Sequence, residues 1–295
     1  MEKRTFGKTG LEVSVLGFGG AEIGFEKAAP SDVEKLLNSA LDTGLNVIDT
    51  AECYGDSEEL IGNAVSKRRG DYHLFTKCGH ASGFDLPDWD LKLLEQSIER
   101  SLQRLQTDCV DLVLLHTCSE EMLRQGDVIQ LLQRAKEQGK TRFIGYSGDS
   151  HAARYAIECG AFDALETSVN IADQEALELT LPLALQRGMG VIAKRPIANV
   201  AWKNGKSEEA YGHTYWKRLN ELKYDFLEGD EAVSTALRFT LSLPSVSTAI
   251  VGTKRPERWA QNATLLADGP LPEEQFNKIR ARWKEVASAD WVGQG

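Results

Sequence analysis

The sequence predicts an α/β protein, a closed (β/α)8 TIM barrel, on three observations. Eight short apolar runs alternate with eight stretches of helical periodicity over the 295 residues. They recur at roughly thirty-residue spacing, the length of one strand–helix unit. Open doubly wound sheets usually stop at about six strands, so eight favour closure.

The elements follow in order. Residues 5–14 read as a β-hairpin around a Gly-bearing turn. Val15-Leu16-Gly17-Phe18-Gly19-Gly20 is the first barrel strand, ending in a close-packed glycine turn. A Gly-x-Gly-x-x-Gly dinucleotide fingerprint would need glycine where Glu22 stands. A helix over 31–43 has Ser31 and Glu34 at capping-box spacing, one apolar face (Val33, Leu36, Leu37, Ala40, Leu41) and Gly44 as its stop. Strand two, 46–50, precedes a helix over 57–69, where Asp56 and Glu59 repeat that spacing. Strand three is 73–78, and Leu91, Leu94, Ile98, Leu102 and Leu105 mark the next amphipathic helix. Strand four, 110–115, is nearly continuous in apolar residues, as parallel strands covered on both faces are.

The alternation continues with a helix over 122–138, strand five over 142–147 and a helix over 151–158. Strand six (164–170), a helix (174–187) and strand seven (190–194) come next. After Pro196 the rhythm lapses into a long loop holding Trp202, Tyr211, His213, Tyr215, Trp216 and Tyr224. A helix over 231–241, strand eight over 248–251 and a helix over 256–266 complete the barrel, and an extra C-terminal helix covers 273–286. No low-complexity linker interrupts residues 1–295, which are expected to form a single domain.

Composition excludes several function classes. A formal charge of −10 and a pI near 5.2 argue against binding nucleic acid or an anionic membrane, though one basic phosphate pocket remains compatible. Cys53, Cys78, Cys109, Cys118 and Cys159 are odd in number and form no Cys-x-x-Cys pair. Reduced thiols are therefore expected, with neither a disulfide framework nor a zinc site. The N-terminus lacks a signal-peptide core and no apolar run is long enough to span a bilayer, so the expected location is the cytoplasm.

Barrel enzymes work at the C-terminal ends of their strands. Here those ends carry Asp49 with nearby Tyr54, then Lys77, then His116. Singly, each has an ordinary structural role: a turn cap, a packed aromatic, a snorkelling lysine, a satisfied histidine. Jointly, an acid, a phenol, an ammonium and an imidazole on three consecutive strands converge across one mouth.

Asp49-Thr50-Ala51-x-x-Tyr54-Gly55-x-Ser57-Glu58, with Thr76-Lys77 and Leu115-His116-Thr117, resembles the aldo-keto reductase family over nearly the whole chain. The resemblance implies a barrel that binds NADP(H) in an extended pose, transfers hydride to an aldehyde or ketone and needs no metal. Tyr54 would be the proton donor, since hydride arriving at a carbonyl leaves an alkoxide. Lys77 would lower the phenol pKa, Asp49 would hold Lys77 charged, and His116 would orient the carbonyl oxygen.

The same resemblance assigns Ser147 and Asn170 to the nicotinamide carboxamide. Glu166 stands where the family usually has glutamine, and Lys194, followed by Arg195, where it usually has a stacking residue. An acid and a cation at those places could pair with each other. Gly252-Thr253-Lys254-Arg255-Pro256-Glu257-Arg258 opens a helix whose backbone donors, with Lys254 and Arg258, suit the adenosine 2'-phosphate, and Gln261 and Asn262 would lie near the adenine. The basic cluster favours NADP over NAD. Substrate contacts are expected from Glu22, Ile23, Phe84, Trp89 and Trp202. Rival readings on the same residues are a sugar or alcohol dehydrogenase working oxidatively and a cofactor-binding regulatory subunit, since some family members are partners of channels.

Overall fold

The structure, a computed structural model, describes residues 1–294. A hairpin comes first, β1 (Lys3–Thr5) and β2 (Glu12–Ser14), antiparallel with Lys3 opposite Ser14. Then follow β3 (Leu16–Gly19), α1 (Ala21–Phe25), α2 (Pro30–Asp42), β4 (Val47–Asp49), α3 (Ser57–Val65), β5 (His73–Cys78), α4 (Leu91–Arg104) and β6 (Val110–His116). The second half runs α5 (Glu120–Gln125), α6 (Asp127–Glu137), β7 (Thr141–Ser147), α7 (Ser150–Glu158), β8 (Ala164–Ser168), α8 (Ala176–Leu179), α9 (Leu181–Arg187) and β9 (Gly190–Lys194). It ends with α10 (Ala201–Asn204), α11 (His213–Leu222), α12 (Ala232–Leu241), β10 (Thr248–Gly252), α13 (Pro256–Thr264) and α14 (Glu273–Val286). Strands β3 to β10 close in chain order, β10 pairing back onto β3.

Strand periodicity divides the core. Side chains alternate across a strand, so Ile48, Leu74, Val113 and Leu115 pack outward against the helices while Val47, Phe75, Leu112 and Leu114 fill the barrel. The same alternation turns Asp49, Lys77 and His116 inward, one layer above that apolar floor. The hairpin closes the opposite end: Phe6 is fully buried and stacks on Phe75 with ring centroids 5.4 Å apart. Arg4 ties it down by donating to the carbonyls of Val246 and Leu241.

Local details depart from expectation for identifiable reasons. Neither capping box forms. Helix α2 begins at Pro30 behind an extended Ala29, proline supplying a preset φ and no orphan N–H; at α3 the Asp56 side chain makes no capping bond. The helix expected over 122–138 is two, divided at Gly126 in the left-handed region, φ 86°. The helix expected over 174–187 breaks at Thr180, just ahead of Leu181-Pro182. The long loop after β9 is partly helical, since α11 buries Tyr215, Leu219 and Leu222 on one face. That face, Phe239 of α12 and Ile279 and Trp283 of α14 build a second apolar cluster beside the barrel.

Candidate active site

The turn after β4 is pinned before it presents any chemistry. Ser57 Oγ donates to the Gly20 carbonyl (2.7 Å) and Gly20 N–H donates to that of Asp49 (2.7 Å). Any Cβ at Gly24 would lie 1.8 Å from the Tyr54 carbonyl oxygen, so only glycine lets α1 approach this turn. Beneath it, the buried Glu52 carboxylate accepts from Arg100 and, at 3.2 Å, from Arg104. Thr76 donates to buried Glu58 at 2.7 Å.

Lys77 Nζ, fully buried, donates to Asp49 Oδ1 (2.5 Å) and the Thr50 carbonyl (2.9 Å), and lies 5.4 Å from the centre of the Tyr54 ring. Tyr54 Oη is 3.5 Å from His116 Nε2. The four side chains expected to converge therefore lie together. Glu166 joins them: its Oε2 is 3.3 Å from Lys77 Nζ. The expected Glu166–Lys194 pair is absent, because β8 turns Glu166 toward Lys77 while Lys194 pairs with Asp149 Oδ2 at 3.2 Å.

This second carboxylate changes the electrostatics. Burial would push the Lys77 ammonium down, but Asp49, Glu166 and Tyr54 outweigh it and hold the ammonium above its ordinary value. Burial and Glu166 together push the Asp49 carboxyl up despite Lys77. The Tyr54 phenol is pushed up by burial, with Glu166 and Asp49 adding to the rise against the opposing pull of Lys77. The expected lowering of the phenol pKa is thus not found: burial outweighs the pull of Lys77, and Glu166 and Asp49 add to the rise. His116 is held well below its ordinary value by burial, then by Lys77 and His80, so it is a neutral imidazole.

Ser147, at the end of β7, and Asn170, beyond β8, are buried on the same rim. Asn170 Oδ1 accepts from Ala172 N–H at 2.8 Å, while its buried Nδ2 has no partner. Arg195 donates to Ser168 Oγ (2.8 Å), to Tyr211 Oη and to the Gln294 carbonyl. Gly252, the last residue of β10, and Thr253 lead toward α13, whose N-terminus carries no side-chain cap. Lys254 is engaged by Glu26 at 2.7 Å, Arg258 and Gln261 are exposed, and Asn262 is buried.

The residues expected at the substrate scatter. Ile23 is fully buried in the outer core, which removes it from the substrate. Glu22 turns its carboxylate over Gly252, where an added Cβ would meet Oε2 at 1.9 Å, so it faces the β10 rim. Phe84 lies 3.6 Å beneath the Arg100 guanidinium. Trp202 is half-buried against the second cluster. Trp89 stays near the site, edge-on to His80 at 5.7 Å, and His80 in turn lies 5.1 Å from His116. Sequence reasoning missed Cys53, whose Sγ is 3.4 Å from His116 Nδ1, and Phe25, 63% exposed and 5.3 Å from the Tyr54 ring. It also missed Asp149, which accepts from Thr167 and Ser168 and forms an ion pair with Lys194. Adjacency to Tyr54 was the one available signal for Cys53.

The barrel closes with an ionisable cluster, Asp49, Tyr54, Lys77 and His116, at its C-terminal rim, a place where barrels of this architecture carry many different chemistries. Residues 15–284 match the Aldo/keto reductase family, and the chain belongs to it. It is similar to L-galactose dehydrogenase of Arabidopsis thaliana, 29% identical over 99% of this chain and 97% of that one. It is also similar to a putative voltage-gated potassium channel subunit beta of Schizosaccharomyces pombe, 25% identical over 92% of this chain and 90% of that one. Among solved structures, an aldo-keto reductase from Bacillus halodurans in its holo form aligns with a TM-score of 0.84 at 25% identity, covering 99% of each chain.

Proposed function

We propose that the protein reduces an aldehyde or ketone to the alcohol with NADPH, Tyr54 supplying the proton. The observation that carries this reading is the meeting of Tyr54, Lys77, Asp49 and His116 at one rim. The nicotinamide, when bound, supplies the hydride. The phenol, held above its ordinary value, stays protonated at neutral pH and is ready to give its proton to a forming alkoxide. Lys77 faces the phenol and steadies the phenolate left behind. Asp49 and Glu166 keep that ammonium charged in a dry setting, where an unpaired charge would be costly. His116, neutral, positions the carbonyl oxygen beside Tyr54 Oη.

The rim suits a nicotinamide: the partnerless Asn170 Nδ2 is a donor for a carboxamide oxygen, with buried Ser147 beside it on the same arc. Glu166, Lys194 and Arg195 would border that group, and Gly252 and Thr253 the run toward α13. Its uncapped N-terminus, with Lys254 and Arg258, suits a 2'-phosphate, and Gln261 and Asn262 an adenine. NADP(H) is the cofactor this supports, acting on a small carbonyl or alcohol in the cytoplasm.

A second reading, oxidation of a sugar or alcohol, is supported by the likeness to L-galactose dehydrogenase along almost the whole chain. Both readings are tested by following nicotinamide absorbance across aldehydes, ketones, sugars and alcohols with NADP(H) and NAD(H). Reduction of at least one carbonyl faster than oxidation of its alcohol at pH 7 is expected. Binding of NADPH with no turnover on any compound would sink both in favour of a regulatory role.

A further inference from the structure

We propose that Cys53 is a positioning residue: its thiol donates to His116 Nδ1 and holds the imidazole in the Nε2–H tautomer, so that an N–H faces the substrate oxygen. The function of that tautomer rests on the reading above; the tautomer itself does not.

The turn that carries Cys53 is fixed on both sides. Glu52 N–H donates to the Lys77 carbonyl (3.1 Å) and Tyr54 N–H to that of Ala51 (3.0 Å), while the Glu52 carboxylate is clamped by two arginines. Cys53 Sγ is thereby held 3.4 Å from Nδ1, on the side of the ring opposite Tyr54, whose Oη lies 3.5 Å from Nε2. Cys109, Cys118 and Cys159 give their thiol protons to backbone carbonyls. Cys53 differs in that its partner is an imidazole nitrogen.

Counting protons decides the direction of the bond. Burial pushes the Cys53 thiol up to about 11, so it carries a proton at neutral pH, and His116 is uncharged. One ring nitrogen therefore bears a hydrogen and the other accepts. With hydrogen on Nε2, the thiol proton goes to Nδ1, His116 donates toward Tyr54 Oη, and the phenol proton remains free for a substrate. With hydrogen on Nδ1, that N–H would point at sulfur, a weak acceptor. The thiol proton would lose its acceptor, and the phenol would be drawn to donate into the ring. Which nitrogen of a histidine is protonated is set by the bond the other makes, and here Cys53 makes it. The polarity suits a carbonyl substrate, since two donors then flank one oxygen.

The experiment is a long-range ¹H–¹⁵N correlation spectrum of the full-length protein at neutral pH, with His116 assigned by loss of its signals in His116→Gln. The expected wild-type pattern is that of Nε2–H. Cys53→Ala should show a mixture of tautomers and a roughly tenfold fall in kcat, less than the ~10²–10³-fold cost of removing an oxyanion donor outright. The nucleotide KM should be unchanged. Cys53→Ser, which restores an O–H donor, should recover the wild-type pattern and most of the kcat. An Nδ1–H pattern in the wild type, or an unaltered Nε2–H pattern in Cys53→Ala, would overturn the proposal. Because the resting protein is read, absence of carbonyl reduction would defeat the functional reading while leaving this assignment to its own result.

Discussion

At the scale of single residues, the site is governed by how one ammonium is shared. Lys77 touches Asp49, the Thr50 carbonyl and Glu166, and faces the Tyr54 ring. If Tyr54 is the proton donor, Tyr54→Phe should cut turnover by roughly 10²–10⁴-fold while NADPH still quenches tryptophan fluorescence; near-normal turnover would refute the assignment. Glu166→Gln removes a negative charge that opposes phenolate formation. The phenol pKa should fall, so the rise of the alcohol-oxidation rate with pH should move down by about one unit. A pH–rate profile that stays put, or moves up, would show that Glu166 does not act on the phenol.

At the scale of elements, two contacts position the site. Helix α3 meets α4 through Gly62, where an added Cβ would lie 2.1 Å from the Arg104 carbonyl oxygen. Backbone cannot give way as a side chain can, so Gly62→Ala should cost about 1–3 kcal/mol, read as a lower urea midpoint at unchanged slope. At the start of α13, Lys254 is already engaged by Glu26 whereas Arg258 is exposed. Arg258→Ala should therefore weaken NADP(H) by roughly tenfold or more, as loss of a charge-assisted bond does, and Lys254→Ala by less. NAD(H) binding should change little, and equal losses for both nucleotides would count against a 2'-phosphate site there.

For the whole molecule, buried acids set the response to pH. Burial pushes Glu58 and Asp173 up to about 7 and also raises Asp49. A carboxyl raised in the folded state contributes stability that is complete below its unfolded value and is lost as pH climbs through the folded one. His116, lowered on folding, acts oppositely but alone in this window. Asp111 and Asp149, held down by their cations and hydrogen bonds, contribute only above the usual carboxylate range and lose that contribution below about pH 4. Thermal stability should therefore fall between about pH 5 and 7.5, and Glu58→Gln should flatten the fall. An equally steep fall in that variant would show that Glu58 is not responsible. Among the described residues, no helix is long and apolar enough to cross a membrane.

The strand–helix alternation, the closure it implies and the inward turn of Asp49, Lys77 and His116 were legible along the chain. Periodicity is local, and the two-residue repeat of a strand states which face each residue takes. Helix α11 was not read from the chain: Tyr215, Leu219 and Leu222 fall at helical spacing, but aromatic and polar neighbours hid the pattern, and the stretch was expected to be a long loop. Tertiary structure alone decided who meets whom. Glu166 found Lys77 rather than Lys194, Lys194 found Asp149, Ile23 went to the core and Cys53 came to rest against His116. Those partners come from different strands and turns. Their meeting depends on the stagger with which closure offsets each strand from the next, as when Asp49 aligns with Phe75 and Lys77 with Leu114. That offset belongs to the closed sheet and not to any stretch of the chain.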